Sequence, residues 1–256
     1  MQIEAEKQRV SAKFREQKHI RLLGNKSWVL PLQLVEIQMK TVVRSQMDVL
    51  MKMILKILAR LEVKQGKEIS ELLAVETIFV EHMLDLMMRN KMVGKIGDTF
   101  QLTNSGLEHL EQGTFEHDPM VEQVEITYSS YHNGSMNRDP EQTGLEGDLN
   151  LSEFQFAEDV ELNDVTQLSD SHIKEMIQKS GYEFLVEKGQ KVIEEIDLVE
   201  IKESMRAVCI EFHLHDRAED MVYIRVWNTW TGKFDSQLED ELNQREAVSL
   251  RELYNI

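Results

Sequence analysis

The stretch from Gln46 to Asn90 reads QMDVLMKMILKILARLEVKQGKEISELLAVETIFVEHMLDLMMRN, and its apolar spacing decides the expected fold. Over residues 46–60, Val49, Leu50, Met53, Ile54, Ile57 and Leu58 fall on one stripe, as in a well-buried helix. Lys67 to Ala74 predicts a second, short helix around Ile69, Leu72 and Leu73. Val75-Glu76-Thr77 then makes a tight turn into a third helix, with Val80, Met83, Leu84 and Met87 inward. Met92-Val93 begins a strand, Gly97-Asp98 supplies a hairpin turn, and Phe100-Gln101-Leu102 returns. Leu102-Thr103-Asn104-Ser105-Gly106 opens a last short helix through Leu110, which Gly113 ends.

This order of helix, short helix, turn, helix and β-wing resembles the winged helix-turn-helix family over about residues 45–113. The pieces that carry the resemblance are Glu68-Ile69-Ser70-Glu71-Leu72-Leu73, the Val80/Leu84/Met87 spacing, and the Leu102-Thr103…Gly106…Leu110 closure. Many members place a glycine before the wing strand, where this chain has Lys91. The resemblance implies a fold and, in many members, duplex DNA binding with the third helix in the major groove. Fold alone does not supply function. The exposed positions of the third helix would be Thr77, Glu81, His82, Asp85 and Arg89, with Lys91 and Lys95 beside them. Glu81 and Asp85 would turn two carboxylates toward phosphates or base edges, an unfavourable approach with few cations nearby. The same seven residues are therefore candidate contacts for DNA or for a protein partner.

Upstream, residues 1–27 form a basic segment with Arg9, Lys13, Arg15, Lys18 and Arg21. Ile3, Val10 and Phe14 share one helical face, so a solvated arm or loosely docked helix competes with an arm that binds phosphate or a partner. From Trp28 to Arg44 the period becomes two, with Val35, Ile37, Met39 and Thr41 alternating against Glu36, Gln38 and Lys40, as in a half-buried strand.

Downstream, residues 114–170 hold fourteen acidic residues and one basic residue, Arg138. That composition predicts an acidic linker or long loop over 114–167. The tail from 168 to 256 returns to periodic structure. Ile173, Met176 and Ile177 mark a short helix from Ser169 or Asp170 to Gly181, and Leu238 and Leu242 mark another from about Asp235. Between them, 207–228 reads as an antiparallel hairpin. With Asp216 to Asp220 as its loop, His215 lies opposite Met221, Glu211 opposite Arg225, and Ile210, Phe212 and Leu214 opposite Val226, Ile224 and Val222. That register assumes one apolar and one polar face.

On the polar face, Cys209, Glu211, His213 and His215 alternate. His213 and His215 could ligate a metal with Glu211 or Asp216, or could simply form a solvated face. Cys209 lacks a positioned base at strand spacing. No Gly-rich phosphate loop and no pair of carboxylates at diagnostic spacing is present in the sequence. Trp227, Trp230 and Phe234 cluster around Thr231-Gly232, and an exposed pair there would be a protein-contact hot spot.

One cysteine excludes an internal disulfide framework and a cysteine-rich zinc site. The chain shows no signal-like apolar run after Met1 and no apolar run of membrane length, so a soluble, cytoplasmic protein is the expectation. Net charge is −17, but residues 1–40 carry +4, 41–113 carry −1 and 114–256 carry −20. The acidity belongs to the C-terminal half and says little about the front.

The expected fold class is α+β: a winged helix-turn-helix domain plus a small C-terminal α+β domain containing an antiparallel hairpin. Its parts are an arm and strand (1–44), the winged helix (45–113), the acidic linker (114–167) and the C-terminal domain (168–256). The functional expectation is a non-catalytic regulatory or adaptor subunit of a nucleic-acid-associated assembly, such as transcription control or phage defence. It needs no cofactor, metal or catalytic residue. Its candidate partners are a protein first, then nucleic acid and a second copy of the chain, with no membrane. The rival expectations are a dimeric sequence-specific DNA-binding regulator and a metal-dependent enzyme centred on the C-terminal strands.

Overall fold

In the computed structural model, which describes residues 2–140, 151–156, 164–187 and 189–256, the chain opens with a helix, α1 (Gln2–Arg15). A long strand, β1 (Ile20–Gln46), follows. Three helices come next, α2 (Val49–Leu58), α3 (Gly66–Leu73) and α4 (Thr77–Arg89). A hairpin of β2 (Val93–Ile96) and β3 (Thr99–Leu102) leads to α5 (Asn104–Gln112). Strands β4 (Thr114–Glu116), β5 (Met120–Ser129) and β6 (Gly134–Ser135) precede α6 (Asp170–Lys179). The chain then forms β7 (Leu185–Val186), β8 (Gly189–Asp216), β9 (Met221–Asn228) and β10 (Lys233–Phe234), and ends in α7 (Ser236–Leu253).

The expected fold class is overturned. A large antiparallel sheet of eight strands, ordered β10-β9-β8-β1-β5-β6 with β4 on β1 and β7 on β8, dominates the chain. There is no small C-terminal domain built on one hairpin. The C-terminal strands share a sheet with β1, whose residues lie near the start of the chain. The expected acidic linker is also replaced in part, because 114–135 supplies β4, β5 and β6. Within β5, Val124, Ile126 and Tyr128 turn inward while Glu125 stays exposed. An average over the whole acidic stretch hides that alternation. The linker expectation at 141–150 and 157–163 falls outside the described residues.

The chain divides into two compact units. One comprises Met1–Ile37, Gln123–Tyr182 and Leu198–Ile256, and the other Gln38–Glu122 and Glu183–Asp197. In the first, residues 207–214 of β8 are all buried, because helices cover both faces of the sheet. On one face, Val208, Ile210, Phe212, Leu214 and Trp227 pack with Val10 and Phe14 of α1. On the other, Cys209, Val222, Ile224 and Val226 pack with Leu238, Leu242 and Leu250 of α7.

That double cover corrects the hairpin register by one residue. His215 pairs with Val222 and Asp216 with Met221, so Glu211 faces Val226 and Arg225 faces Phe212. Matching apolar to apolar selects a register only where one face is wet. With both faces dry, each face needs its own apolar set, and the four-residue turn Arg217–Asp220 sets the pairing. Asp216 accepts the Ala218 amide at 2.8 Å, and Asp220 takes a left-handed φ of 48° at the turn's end.

The arm is neither solvated nor loose. Val10 and Phe14 are buried, Phe14 stacks tilted on Phe212 at 5.3 Å, and Arg9 and Lys13 lie over Trp227 at 5.1 and 4.7 Å. Among the described residues, no helix is long and apolar enough to cross a membrane.

Candidate functional site

The second unit carries α2 to α5, and its local chemistry explains its shape. Asp48 caps α2 by accepting the Leu50 amide at 2.7 Å. Glu68 reaches back to the Gln65 amide at 3.0 Å, the returning half of a capping box at the start of α3. Ala74 ends α3 at a left-handed φ of 52°. The buried Ser70 ties the turn into α4, its hydroxyl donating to the Val75 carbonyl at 2.7 Å and lying 3.0 Å from the Thr77 hydroxyl. Beneath lies a core of Met51, Ile54, Leu55, Ile69, Val80, Leu84, Met87 and Met92. The methionines fill gaps between helices of different direction.

The hairpin is held against this core by a third rung, Phe100 donating to the Val63 carbonyl at 2.8 Å. Lys91, at the position where the resembled family often has glycine, adopts φ 56°, a left-handed backbone that glycine would hold with less strain. Gly106 has no such latitude. A Cβ there would sit 2.0 Å from the Met92 carbonyl oxygen, so the start of α5 can lie against that strand only without a side chain.

Of the seven contact candidates, Glu81, His82, Asp85, Arg89, Lys91 and Lys95 are exposed. Thr77 is half-buried, with its hydroxyl against Ser70. The surface also holds what the sequence reading missed. Leu72, Ile78 and Phe79 are 60%, 68% and 55% exposed, and they belong to the end of α3 and the first turn of α4. A single helical stripe through Val80, Leu84 and Met87 leaves Ile78 on the opposite side, beside Glu81, His82 and Asp85 by helical spacing. Counting only inward positions of α4 left these two apolar residues unread. A cleft of about 460 Å³ opens beside Glu81 and Asp85 between the start of α3 and the hairpin, with Lys64, Lys67 and Lys95 on its rim. The cleft therefore sets the two carboxylates beside three lysines, and the first turn of α4 adds exposed apolar side chains.

The aromatic candidates are corrected. Trp227 and Trp230 are buried and Phe234 is half-buried, so there is no exposed pair. The Trp227 indole donates to Glu6 of α1 at 2.8 Å, and that of Trp230 to the Met136 carbonyl at 3.1 Å. The aromatic side chains pack helix and loop onto the sheet.

The polar stripe on β8 is also not a solvated face. Glu211 is fully buried and His213 nearly so. Glu211 accepts from the Trp28 indole at 2.9 Å, lies 2.7 Å from His213 Nε2 and pairs with Lys26 at 3.2 Å. His213 Nδ1 meets the Tyr254 hydroxyl at 2.9 Å. Burial works to raise the Glu211 pKa. The His213 hydrogen bond, the Lys26 charge and the Trp28 hydrogen bond outweigh it and hold the carboxyl below its usual range. His215 is engaged elsewhere, with Asp220 at 3.0 Å. Among the described residues, no group of three His, Cys, Asp or Glu side chains converges as a metal site. Cys209 is buried, and desolvation pushes its thiol well above the ordinary range.

A second chain of polar groups was not read from the sequence, because its members come from distant segments. His132 Nδ1 lies 2.8 Å from the Ser129 hydroxyl and Nε2 3.1 Å from Asp235. Asp235 also accepts from Asn228 at 3.0 Å and caps α7. Burial raises the Asp235 pKa, but the bond and charge of His132, with the Asn228 bond, hold it low. The order Ser-His-Asp is that of a proton relay, yet Ser129 is fully buried and presents no hydroxyl to a substrate. Its geometry ties the end of β5 to the start of α7.

Comparison of the chain with family models, with curated proteins and with solved structures finds no match.

Proposed function

We propose that this protein is a non-catalytic adaptor or regulatory subunit whose α3–α4 face binds another protein within a nucleic-acid-associated assembly. The helix-turn-helix resemblance supplies the module and the biological setting. One observation carries the choice of protein over DNA: the helix that would read a duplex presents Ile78 and Phe79 to solvent, with Glu81 and Asp85 exposed on the same helix. Exposed aromatic and aliphatic side chains in one patch gain by desolvation against a partner, at about 25 cal/mol per Å² of apolar surface. Carboxylates in the same patch oppose phosphate.

The test is affinity capture of the full chain from its host with and without nuclease, beside the Ile78→Asp/Phe79→Asp variant. A protein partner retained after nuclease and lost from the variant is the expected result. Capture that depends on nucleic acid and ignores the variant would overturn the reading.

A further inference from the structure

Residues 114–170 hold a single basic residue, Arg138, and it stands in the loop after β6. That loop is pinned on both sides of it. The Trp230 indole donates to the Met136 carbonyl at 3.1 Å, the Asn137 side-chain amide to the Lys179 carbonyl at 2.7 Å, and the Asp139 amide to the Trp230 carbonyl at 3.0 Å. The Arg138 guanidinium lies over the ring of the buried Trp230, 5.0 Å from its centroid. A cleft of about 600 Å³ opens here, within the first unit, and Arg138 shares its lining with Lys233 at the start of β10 and Ser236 at the start of α7. All three residues are exposed. Two carboxylates also line the cleft, and both are engaged. Asp235 accepts from Asn228 and the Leu238 amide and lies against His132, and Asp139 has its own partner within the chain. The two cations are not so engaged. Among the described residues, Arg138 and Lys233 have no ion-pair partner, whereas Lys179, Lys202, Arg206, Arg225, Arg245 and Arg251 of the same unit each sit against a carboxylate.

We propose that this cleft binds a small organic phosphomonoester, held by Arg138 and Lys233. Such a group carries about −1.5 to −2 charge at pH 7 and three acceptor oxygens. Two cations match that charge. The planar guanidinium takes a pair of phosphate oxygens side by side, and a side chain already supported on Trp230 within a pinned loop loses less freedom in doing so. Lys233 adds the second charge, and the Ser236 hydroxyl a neutral donor. The cleft is larger than the phosphate alone needs and falls in the size range of small-molecule sites, so it also admits an organic part, against Met136 and Phe234 of the lining. The acidity of residues 114–256 repels anions at long range. Salt confines that field to about 10 Å at 0.1 M, so contact with the two cations decides binding. The site lies in the first unit and does not depend on the α3–α4 reading.

The experiment is isothermal titration calorimetry of the full chain with phenyl phosphate, inorganic phosphate and succinate, near neutral pH and at constant ionic strength. Phenyl phosphate is expected to bind at one site with a dissociation constant below about 1 mM, more tightly than either of the others. Arg138→Gln and Lys233→Gln are each expected to weaken it about tenfold or more, with unchanged circular dichroism because both residues are exposed. Arg217→Gln removes an exposed cation from the β8–β9 turn, controls for net charge, and should leave binding unchanged. A weaker dissociation constant for wild type, binding that survives both substitutions, or an equal loss in Arg217→Gln would each overturn the proposal. Succinate bound as tightly as phenyl phosphate would overturn the assignment to phosphate, and inorganic phosphate bound as tightly would overturn the organic part.

Discussion

Glu211 shows how a buried carboxylate is made tolerable. An unpaired charge at that depth is strongly unfavourable, and four separate groups answer it: the Trp28 indole, His213, Lys26 and, through His213, Tyr254. Because its folded pKa is held below the unfolded value of about 4.3, its stabilising contribution is present above that pH. It is lost as pH falls through the folded value. Glu211→Gln should therefore cost about 1–3 kcal/mol in denaturant unfolding at pH 7. The gap between wild type and variant should narrow toward pH 3. A gap that does not change with pH would show that the contribution is packing rather than charge.

At the scale of elements, α1 behaves as part of the core of its unit. Phe14 is 6% exposed, and it packs on Phe212 and Phe234. Phe14→Ala should destabilise the protein by about 3–5 kcal/mol, read as a lower denaturation midpoint. An unchanged midpoint would return α1 to the status of a solvated arm. The helices from α2 to α5 were legible in the sequence because their signals are local. Asp48, the Gln65–Glu68 cap, Thr103 and Gly113 mark the ends, and apolar spacing marks the faces only in part, because Val49, Met53 and Leu72, read as inward, are 77%, 42% and 60% exposed. The wider sheet was not legible. Its pairings join residues far apart in the chain, as Trp28 and Glu211 are. In β8, Glu194, Glu195, Asp197, Leu198, Glu200 and Ile201 are all exposed, so that stretch shows no inward–outward alternation to read. Where β8 is dry on both faces, at 207–214, an alternation argument chose the wrong register. Of the candidate site, the charged positions on α4 were legible, while Ile78 and Phe79, off the main stripe, were not, and Leu72, read as inward with Ile69 and Leu73, is exposed.

For the whole molecule, net charge sets the background against which any surface acts. A chain at −17, with −20 carried by residues 114–256, repels a phosphate backbone at long range wherever salt does not screen it. Only a local patch of cations could reverse that, and the candidates near α4 are Lys64, Lys67, Arg89, Lys91 and Lys95, set against Glu81 and Asp85. Titration of a fluorescent DNA duplex with the full chain at physiological salt tests the central claim most directly, beside Glu81→Ala/Asp85→Ala. The account predicts no saturable binding below about 1 μM for wild type, and a measurable rise in low-salt affinity for the variant. Sub-micromolar binding by wild type, lost on substitution of Arg89, Lys91 and Lys95, would contradict it.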